Sequence, residues 1–414
     1  MGMTPERVSH TFEVCVVGGG PAGIMLGLLL ARHGLRTCVL EKHEDFLRDF
    51  RGDTVHPSTL TLLDRIGLGG PTRALPGRRV TSLSVTFADG TFQVADFARL
   101  RTDHPYLYFV PQWDLLEMLA RTGAEIPAFT LLRRRNVTGL LRDGGGQVVG
   151  VTADGPDGPE TVRARLTVGA DGRGSVVRTH LGLPMRQFGA PMDVLWFRLP
   201  RRPEDGAGLG GLAGSGRLLV RIDRGEYWQV AYLIRKGGYD AVRAEGIDAL
   251  RRGVAAVAPD FADRVGGIGT WDDVHLLTVR IDRARRWYAP GALIIGDAAH
   301  PMSPIGGVGI NLAVQDAVAA ARLLAGPLLA GREPARAPTP RQLAAVQRRR
   351  LPPTVLTQLL QRAAQRAFLG PTLDGPADGS PPTAPALLRR IARTPAAQGA
   401  FAHIVGIGFR PELP

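Results

Sequence analysis

A chain of 414 residues, 44% of them hydrophobic, is long enough for roughly two to three domains and a large buried core. Its formal net charge of +13 is nearly all arginine, Lys42 and Lys236 being the only lysines. The arginines are spread along the chain with no recognised nucleic-acid motif or basic–aromatic strip, which argues against a nucleic-acid partner. Only two cysteines occur, Cys15 and Cys38, both inside apolar runs, so they read as small core residues and no disulfide framework or metal site is expected. The first ten residues lack the apolar stretch of a signal peptide. No uninterrupted apolar run approaches the roughly 18–20 residues that span a bilayer, so a soluble cytoplasmic protein without an integral membrane segment is expected.

The first informative stretch is Glu13–Gly23, EVCVVGGGPAG: a buried strand, a tight glycine turn and the start of a helix. Gly18, Gly20 and Gly23 have the GxGxxG spacing, in which the first glycine permits the turn, the second lets a pyrophosphate approach and the third lets helix and strand pack closely. The helix N-terminus adds unpaired N–H groups and partial positive charge. A second apolar run, RTCVL, ends in Glu41, placing a carboxylate where it can accept hydrogen bonds from the ribose hydroxyls of an adenosine. Beyond it, Arg51 precedes a helix that begins near Pro57 or Ser58, with Leu60, Leu62, Leu63, Ile66 and Leu68 on one face. Arg51 reads either as a solvated loop residue or as a clamp on a phosphate or ribityl oxygen.

From Val80 to Leu100 the pattern alternates with a turn at Asp89-Gly90, a hairpin leaving the nucleotide-binding layer. The chain returns through YLYFVPQWDLLEMLART, a short strand and an amphipathic helix. A second hairpin follows, turning at Asp157-Gly158, and leads into Gly169-Ala170-Asp171-Gly172. Residues 182–281 are different in kind: VLWFRL, RLLVRI, YWQVAYLIR and VHLLTVRI read as a mostly antiparallel sheet, with a helix over about Asp240–Ala258 laid against it. The glycine-rich Gly206–Gly216 lacks a strand–helix context and is expected to be a mobile loop.

The strongest signal is GALIIGDAAHPMSPIGGVGINLAVQDAVAAARLLAG. A buried strand, Ala292–Ile295, meets Gly296-Asp297, and a glycine-dense loop then leads to a helix from about Ile310. The aspartate can hydrogen-bond a ribityl hydroxyl, and the loop lets backbone N–H groups face a flat, electron-accepting ring. The helix N-terminus stabilises negative charge at the N1–C2=O edge of a reduced flavin.

GGGPAG with Glu41, GADG at 169–172 and GDAAHPMSPIGGVGINLAVQDA, in this order over most of residues 11–330, resemble the group A flavoprotein monooxygenases, the para-hydroxybenzoate hydroxylase family. The resemblance implies an α/β fold: a Rossmann-like, GR2-type FAD-binding domain (1–77, 104–181 and 282–330) interleaved with a mostly antiparallel β-sheet substrate domain (78–103 and 182–281), then C-terminal helices (331–414). It implies that Gly18, Gly20, Pro21, Ala22, Gly23, Glu41 and Lys42 hold the ADP half of FAD, and that Arg51 and Gln112 lie beside the cofactor. Asp171 and Gly172 fall at a motif linked to both FAD and NAD(P)H, and Gly296 and Asp297 at the ribityl site. Pro304, Gly307, Val308, Gly309, Ile310 and Asn311 fall beside the isoalloxazine ring, with Pro304, Gly309 and Asn311 as the catalytic positions. His300, which follows the aspartate motif, reads as a loop-packing residue or a hydrogen-bond donor near the flavin, and neither it nor His56 is counted among the catalytic residues.

The implied chemistry is reduction of FAD by NADPH or NADH and delivery of one atom of O2 through a flavin C4a-hydroperoxide to a cyclic or aromatic small molecule, by hydroxylation or epoxidation. No metal is required. A dehydrogenase or reductase of the same fold is the alternative, and a flavin-free scaffold protein a third; the WxWxIP motif of flavin halogenases is absent. Trp196, Trp228 and Tyr232 are the substrate candidates, on predicted strands of the second domain, with Trp228 and Tyr232 on one face. After residue 331 a helix broken near Pro352-Pro353 is expected. The C-terminal helices can pack under the substrate domain, form a homodimer contact or lie on a membrane, and the clustered Leu356, Leu359 and Leu360 favour packing.

Overall fold

The computed structural model describes residues 8–47, 53–206, 209–214, 216–332, 335–375 and 380–413. A continuous apolar strand is one buried on both faces, and the second half of Val8–Val17 behaves so: residues 13–17 are buried, with Val14, Cys15 and Val16 fully shielded, while Ser9 and Thr11 are exposed. It lies in a sheet of order Tyr288–Ala289, Ala292–Ile294, Gly158–Gly169, Val8–Val17, Thr37–Glu41, Phe129–Arg133. Every pairing from Ala292–Ile294 onward is parallel. The first half of Gly158–Gly169 also carries the expected hairpin, with Val148–Gly155 and then Asn136–Arg142 added antiparallel. Cys15 and Cys38 sit side by side on neighbouring strands, free and buried.

Helices Pro21–Arg32, Gln112–Ala124 and Gly309–Ala330 share one hydrophobic core with this sheet. Close approach is built into the sequence: a Cβ at Gly27 would lie 2.5 Å from a Val39 methyl and 3.0 Å from the Phe129 ring. The segment Ile305–Ala330 is long and apolar enough to cross a membrane by composition, yet 72% of its apolar window is buried inside the protein. It is the central core helix.

The second sheet runs His275–Leu277, Met192–Pro200, Tyr227–Arg235, Arg217–Asp223, Leu209–Gly214, Ser82–Phe87, Gly90–Asp96. The early hairpin thus joins strands more than a hundred residues away, through a parallel contact between Ser82–Phe87 and Leu209–Gly214. Here the expectation of a mobile loop over Gly206–Gly216 is corrected: Leu209–Gly214 is a strand hydrogen-bonded on both edges. Its glycines give poor strand propensity, but they let Val85 and Val257 close against the backbone. The helix expected over 240–258 is two, Tyr239–Ala244 and Ile247–Val257, interrupted at Gly246 with φ 87°.

Two expectations for the C-terminal part are also corrected. Helix Pro340–Ala364 continues through Pro352 and Pro353. An internal proline costs roughly 3 kcal/mol, and anchors on both sides offset it: Arg350 before the prolines, Gln358 and Gln361 after them. Leu356, Leu359 and Leu360, expected to pack, are 45%, 51% and 42% exposed, because the glutamines rather than the leucines face the protein. Helix Pro395–Gly406 does pack under the second sheet, placing Ala402 and Val405 among Ala95, Phe97, Leu100 and Phe109.

The tail is held by charge. Glu412 is fully buried and accepts from Arg322 (2.7 Å), Arg349 (2.5 Å) and Arg350 (3.4 Å). Its backbone N–H donates to Gln315. Removing one partner of a buried ionic cluster leaves uncompensated charge and typically costs 3–5 kcal/mol. Glu412→Ala is therefore expected to lower unfolding free energy by about that amount in urea denaturation; a loss below about 1 kcal/mol would show that the tail is not structurally engaged.

Candidate functional site

The parallel register sets strand ends level. Val17 pairs with Gly169 and Leu40, and Gly169 pairs with Ile294. Backbone bonds continue past the strands, from Gly18 to Leu40 (2.8 Å), Ala170 to Val17 (2.7 Å) and Ile295 to Gly169 (2.9 Å). The three glycine–acid motifs, far apart in sequence, therefore meet at one carboxyl edge of the sheet, the edge at which open α/β sheets bind ligands.

At the first strand end, Gly18 has φ 102° and a Cβ there would lie 2.5 Å from the Ala170 carbonyl oxygen. A Cβ on Gly23 would lie 1.9 Å from the Gly18 oxygen, so only glycine permits this helix–strand contact. Gly20 is different: nothing lies within 4 Å of its missing Cβ. Helix Pro21–Arg32 begins there with no side-chain cap and no acidic residue in its first turn, and Ala22 lies buried just inside. An open glycine at an uncapped helix N-terminus fits a diphosphate. The buried Glu41 carboxylate faces the same turn, accepting from the N–H of Gly19 (2.9 Å) and His43 (3.0 Å). Lys42 is exposed, and Arg51 lies outside the described residues.

At the second strand end, Asp171 accepts from the Ser175 hydroxyl (2.5 Å) and the N–H groups of Val176 (2.7 Å) and Val177 (3.2 Å). It ties the turn to helix Val176–His180, with Gly172 at φ 78° between them. Burial pushes its carboxyl up, outweighing these hydrogen bonds. Its two neighbours Arg173 and Arg178, not singled out in the sequence, bridge to the third strand end. Arg173 Nε donates to Asp297 (3.1 Å) and Arg178 to the Ala298 carbonyl (2.8 Å). Arg173 directly follows GADG and Arg178 lies in the short helix after it, a signal lost among so many arginines.

Asp316 was also missed. Fully buried on Gly309–Ala330, it accepts from Gly296 N–H (3.0 Å), His300 Nε2 (2.5 Å) and Arg350 Nε (3.0 Å). Burial opposes its ionisation, but the facing His300 and Arg350 outweigh burial and hold the carboxyl below its usual range. The His300 ring also lies against Trp287, with centroids 4.9 Å apart and planes tilted by 37°. The helix periodicity alone gave Asp316 no partner.

The loop after Asp297 turns at Pro304 into Ile305–Gly307, with Gly306 and Gly307 both at positive φ, 77° and 63°. A Cβ on Gly307 would reach 2.7 Å from Thr54 Oγ1. Val308 and Ile310 are buried, whereas nothing lies within 4 Å of a Cβ on Gly309. Helix Gly309–Ala330 likewise has no side-chain cap and no acidic first-turn residue, which suits the electron-rich edge of a bound ring. Asn311 faces the other way: its Oδ1 accepts from Ser58 (2.9 Å) and Thr59 (2.6 Å), pinning the helix to Pro57–Arg65. Behind the loop, Gln358, Gln361 and Gln365 bind Pro301, Ser303 and Ile305.

Gln112 opens its helix, and its N–H donates to Asp53 (3.2 Å). Asp53 is paired with Arg224 from the second sheet, linking the two layers beside the site. Of the substrate candidates, Trp196 lies on the sheet face that packs toward Ile305, and its Nε1 has no hydrogen-bond partner. Trp228 and Tyr232 are corrected: they are buried on the opposite face, packed with Leu250, Val254 and Phe261. Trp228 Nε1 donates to Asp205 (2.8 Å), and burial pushes the Tyr232 hydroxyl up to about 12. Strand alternation grouped these two rightly, but which face meets the helix is decided by packing. Among the described residues no group of acids, histidines and cysteines suits a metal ion.

His56 is fully buried and bonds the Gly306 carbonyl at 3.0 Å, while its Nδ1 has no partner. Burial drives its pKa down to about 4, against the raising effect of the Gly306 carbonyl and the nearby Thr54 backbone. The folded state thus holds this proton less well than the unfolded one. The contribution of neutral His56 is complete above about pH 6.5 and is lost as pH falls toward 4, roughly 3 kcal/mol in all. His56→Gln is expected to give a shallower fall in stability over that window in urea titrations. Parallel curves for the two proteins would contradict it.

A family profile described as FAD binding domain (FAD_binding_3) matches residues 11–337. The chain is 37% identical over 326 residues to a 6-methylpretetramide 4-monooxygenase of Streptomyces rimosus, covering 76% of this chain and 75% of the relative. It is 32% identical over 324 residues to a 12-dehydrotetracycline 5-monooxygenase/anhydrotetracycline 6-monooxygenase of Streptomyces rimosus subsp. rimosus, covering 74% of this chain but 61% of that longer relative. The solved structure of OxyS anhydrotetracycline hydroxylase from Streptomyces rimosus matches with a TM-score of 0.74 and 25% identity, covering 98% of this chain and 77% of the other. An edge of sheet shaped for a diphosphate and a flat ring, in a chain so related, has one reading: it belongs to the group A flavoprotein monooxygenases and uses FAD.

Proposed function

We propose that this enzyme hydroxylates or epoxidises a polycyclic aromatic small molecule of the kind its tetracycline-pathway relatives are named for, using NAD(P)H and O2. The observation that carries the reading is the convergence of Gly18–Gly23, Gly169–Gly172 and Gly296–Asn311 at one carboxyl edge, beside a second sheet whose inner face presents an unpaired indole N–H. When bound, FAD supplies acceptance of a hydride and activation of dioxygen. The chain's own residues do the rest. Gly18, Gly20, Pro21, Ala22 and Gly23 seat the diphosphate, Glu41 takes the ribose, and Lys42 offers charge at the rim. Gln112, Gly296 and Asp297 face the ribityl chain, and Pro304, Gly307, Val308, Gly309, Ile310 and Asn311 bed the ring.

Asp171 acts through the turn it caps rather than by direct contact. Asn311 fixes the start of its helix through its side chain and leaves its backbone N–H for the ring. The apolar wall of Ile305 and neighbouring residues keeps water from the reacting face, and Trp196 Nε1 donates to the substrate. The domain division at 1–77, 104–181 and 282–330 against 78–103 and 182–281 belongs to this reading, as do a cytoplasmic location and a homodimer.

Turnover under oxygen-18 gas with a naphthacene-type polyketide is expected to place one labelled atom in the product. A dehydrogenated, unlabelled product would defeat the oxygen-insertion reading. The cradle is tested separately. Gly20→Val projects into open space, so the protein is expected to fold yet release no chromophore near 450 nm (the region of oxidised flavin, about one per chain in the parent). Gly18→Val, strained at its backbone, is expected to lose both fold and flavin. Retention of flavin by Gly20→Val would remove the diphosphate from this turn.

A further inference from the structure

Elsewhere in this protein, gathered arginines surround a carboxylate. Glu412 pairs with Arg322, Arg349 and Arg350, and Glu13 with Arg165 and Arg332. One gathering has no such centre. Phe188 follows a two-stranded ribbon, Met185–Gln187 paired with Asp282–Ala284. Three guanidiniums lie over its ring: Arg362 at 4.8 Å, Arg283 at 5.0 Å and Arg186 at 5.1 Å from the centroid. They come from helix Pro340–Ala364 and from each strand of the ribbon, so tertiary structure alone assembles them.

None of the three forms an ion pair among the described residues; the one hydrogen bond they make there is Arg283 Nη1 to Gln358 Oε1, 3.0 Å. The ribbon's own acid, Asp282, faces Arg280, Arg178, Lys236 and Arg173 instead. Burial and the two flanking guanidiniums push Arg283 below its usual range. Cations held this close repel one another, and stacking on one phenyl ring offsets only part of that cost. An arriving polyanion would relieve it.

The cluster also sits next to the chemistry. Gln358, which orients Arg283, donates to the carbonyls of Asp282 (2.8 Å) and Pro301 (3.3 Å), and Pro301 begins the loop that leads to Pro304. Gly18–Gly23 is the one glycine cradle of its kind among the described residues, and FAD takes it. A nicotinamide dinucleotide brings a second diphosphate that must be met elsewhere. We propose that Arg186, Arg283 and Arg362 dock the phosphate groups of the reducing nicotinamide dinucleotide. Three positive charges exceed what one diphosphate needs, so the 2′-phosphate of NADPH is matched as well, and NADPH binds better than NADH. The site rests on the flavoenzyme reading above.

The test is anaerobic flavin reduction of the holoenzyme by NADPH and by NADH in stopped flow, with calorimetric binding of 2′,5′-ADP as a second readout. Neither Arg186 nor Arg362 is buried, so R186Q/R362Q is expected to fold and keep its flavin. Its Kd for NADPH should rise about ten-fold or more, with a shallower dependence on salt. The limiting reduction rate should stay within about two-fold, 2′,5′-ADP binding should be lost, and the charge-conserving R186K/R362K should recover most of the affinity. Unchanged NADPH affinity and 2′,5′-ADP binding in R186Q/R362Q, with a wild type that is reduced normally, overturn this site alone. So does weaker NADPH binding accompanied by loss of flavin. A wild-type holoenzyme that neither nucleotide reduces overturns the flavoenzyme reading, and this site with it.

Discussion

The structure depends on the parallel register that sets Gly158–Gly169 between Val8–Val17 and Ala292–Ile294. With Val17, Gly169 and Ile294 level, three loops separated by more than a hundred residues each begin at the same edge. A slip of one residue would exchange the two faces of each strand, both of them buried here, and set Val16, Val168 and Leu293 against the wrong neighbours, so close packing on both sides of the sheet enforces the alignment. The cofactor edge is thus a by-product of core packing. Its glycines are required where backbones cross, at Gly18 and Gly23, and vacant where a ligand enters, at Gly20.

Behind this edge lies a charged and amide-rich scaffold from the C-terminal part of the chain. Asp316 joins Gly296 and His300 to Arg350, and Arg350 in turn reaches Glu412 near the end of the described chain. Gln358 and Gln361 of Pro340–Ala364 bind alternate carbonyls of the loop between His300 and Gly306, those of Pro301, Ser303 and Ile305. Loops of this kind carry many unpaired carbonyls because glycine and proline prevent regular structure. A helix face bearing Gln358, Gln361 and Gln365 satisfies them without adding charge near the ring.

The same helix shows why local pattern reading failed in places. Pro352-Pro353 signals a break, and Leu356, Leu359 and Leu360 signal a packed face, yet the helix is continuous and the leucines face outward. Polar bonds to the 301–305 loop chose the inward face. In Leu209–Gly214 the glycines signal a loop, but one neighbouring strand pairs along its whole length and another along 210–212, and Val257 packs too close to Gly214 for a side chain there. Alternation puts Trp228 and Tyr232 on one face and leaves open what covers it, since period two says only which residues share a face; packing sets them against Leu250, Val254 and Phe261.

What the sequence by itself determined is chiefly local geometry: the strand–turn–helix at Gly18–Gly23, the acid at the end of the second strand, the glycine-dense turn before Gly309, and the alternating hairpin at 82–96. Each is set by steric or periodic rules acting within about twenty residues, and their order along the chain carries the family resemblance that implied the interleaved fold and the FAD. Tertiary structure alone decided which arginine finds which acid, that Asp316 governs Gly296, that Trp196 faces inward, and that three arginines from three elements meet over Phe188. Those outcomes join groups far apart in the chain, from 20 positions for Gly296–Asp316 to 319 for Glu13–Arg332. A pattern along the chain is blind to them, because side-chain pairing energy is realised only once packing has brought the partners within a few ångströms.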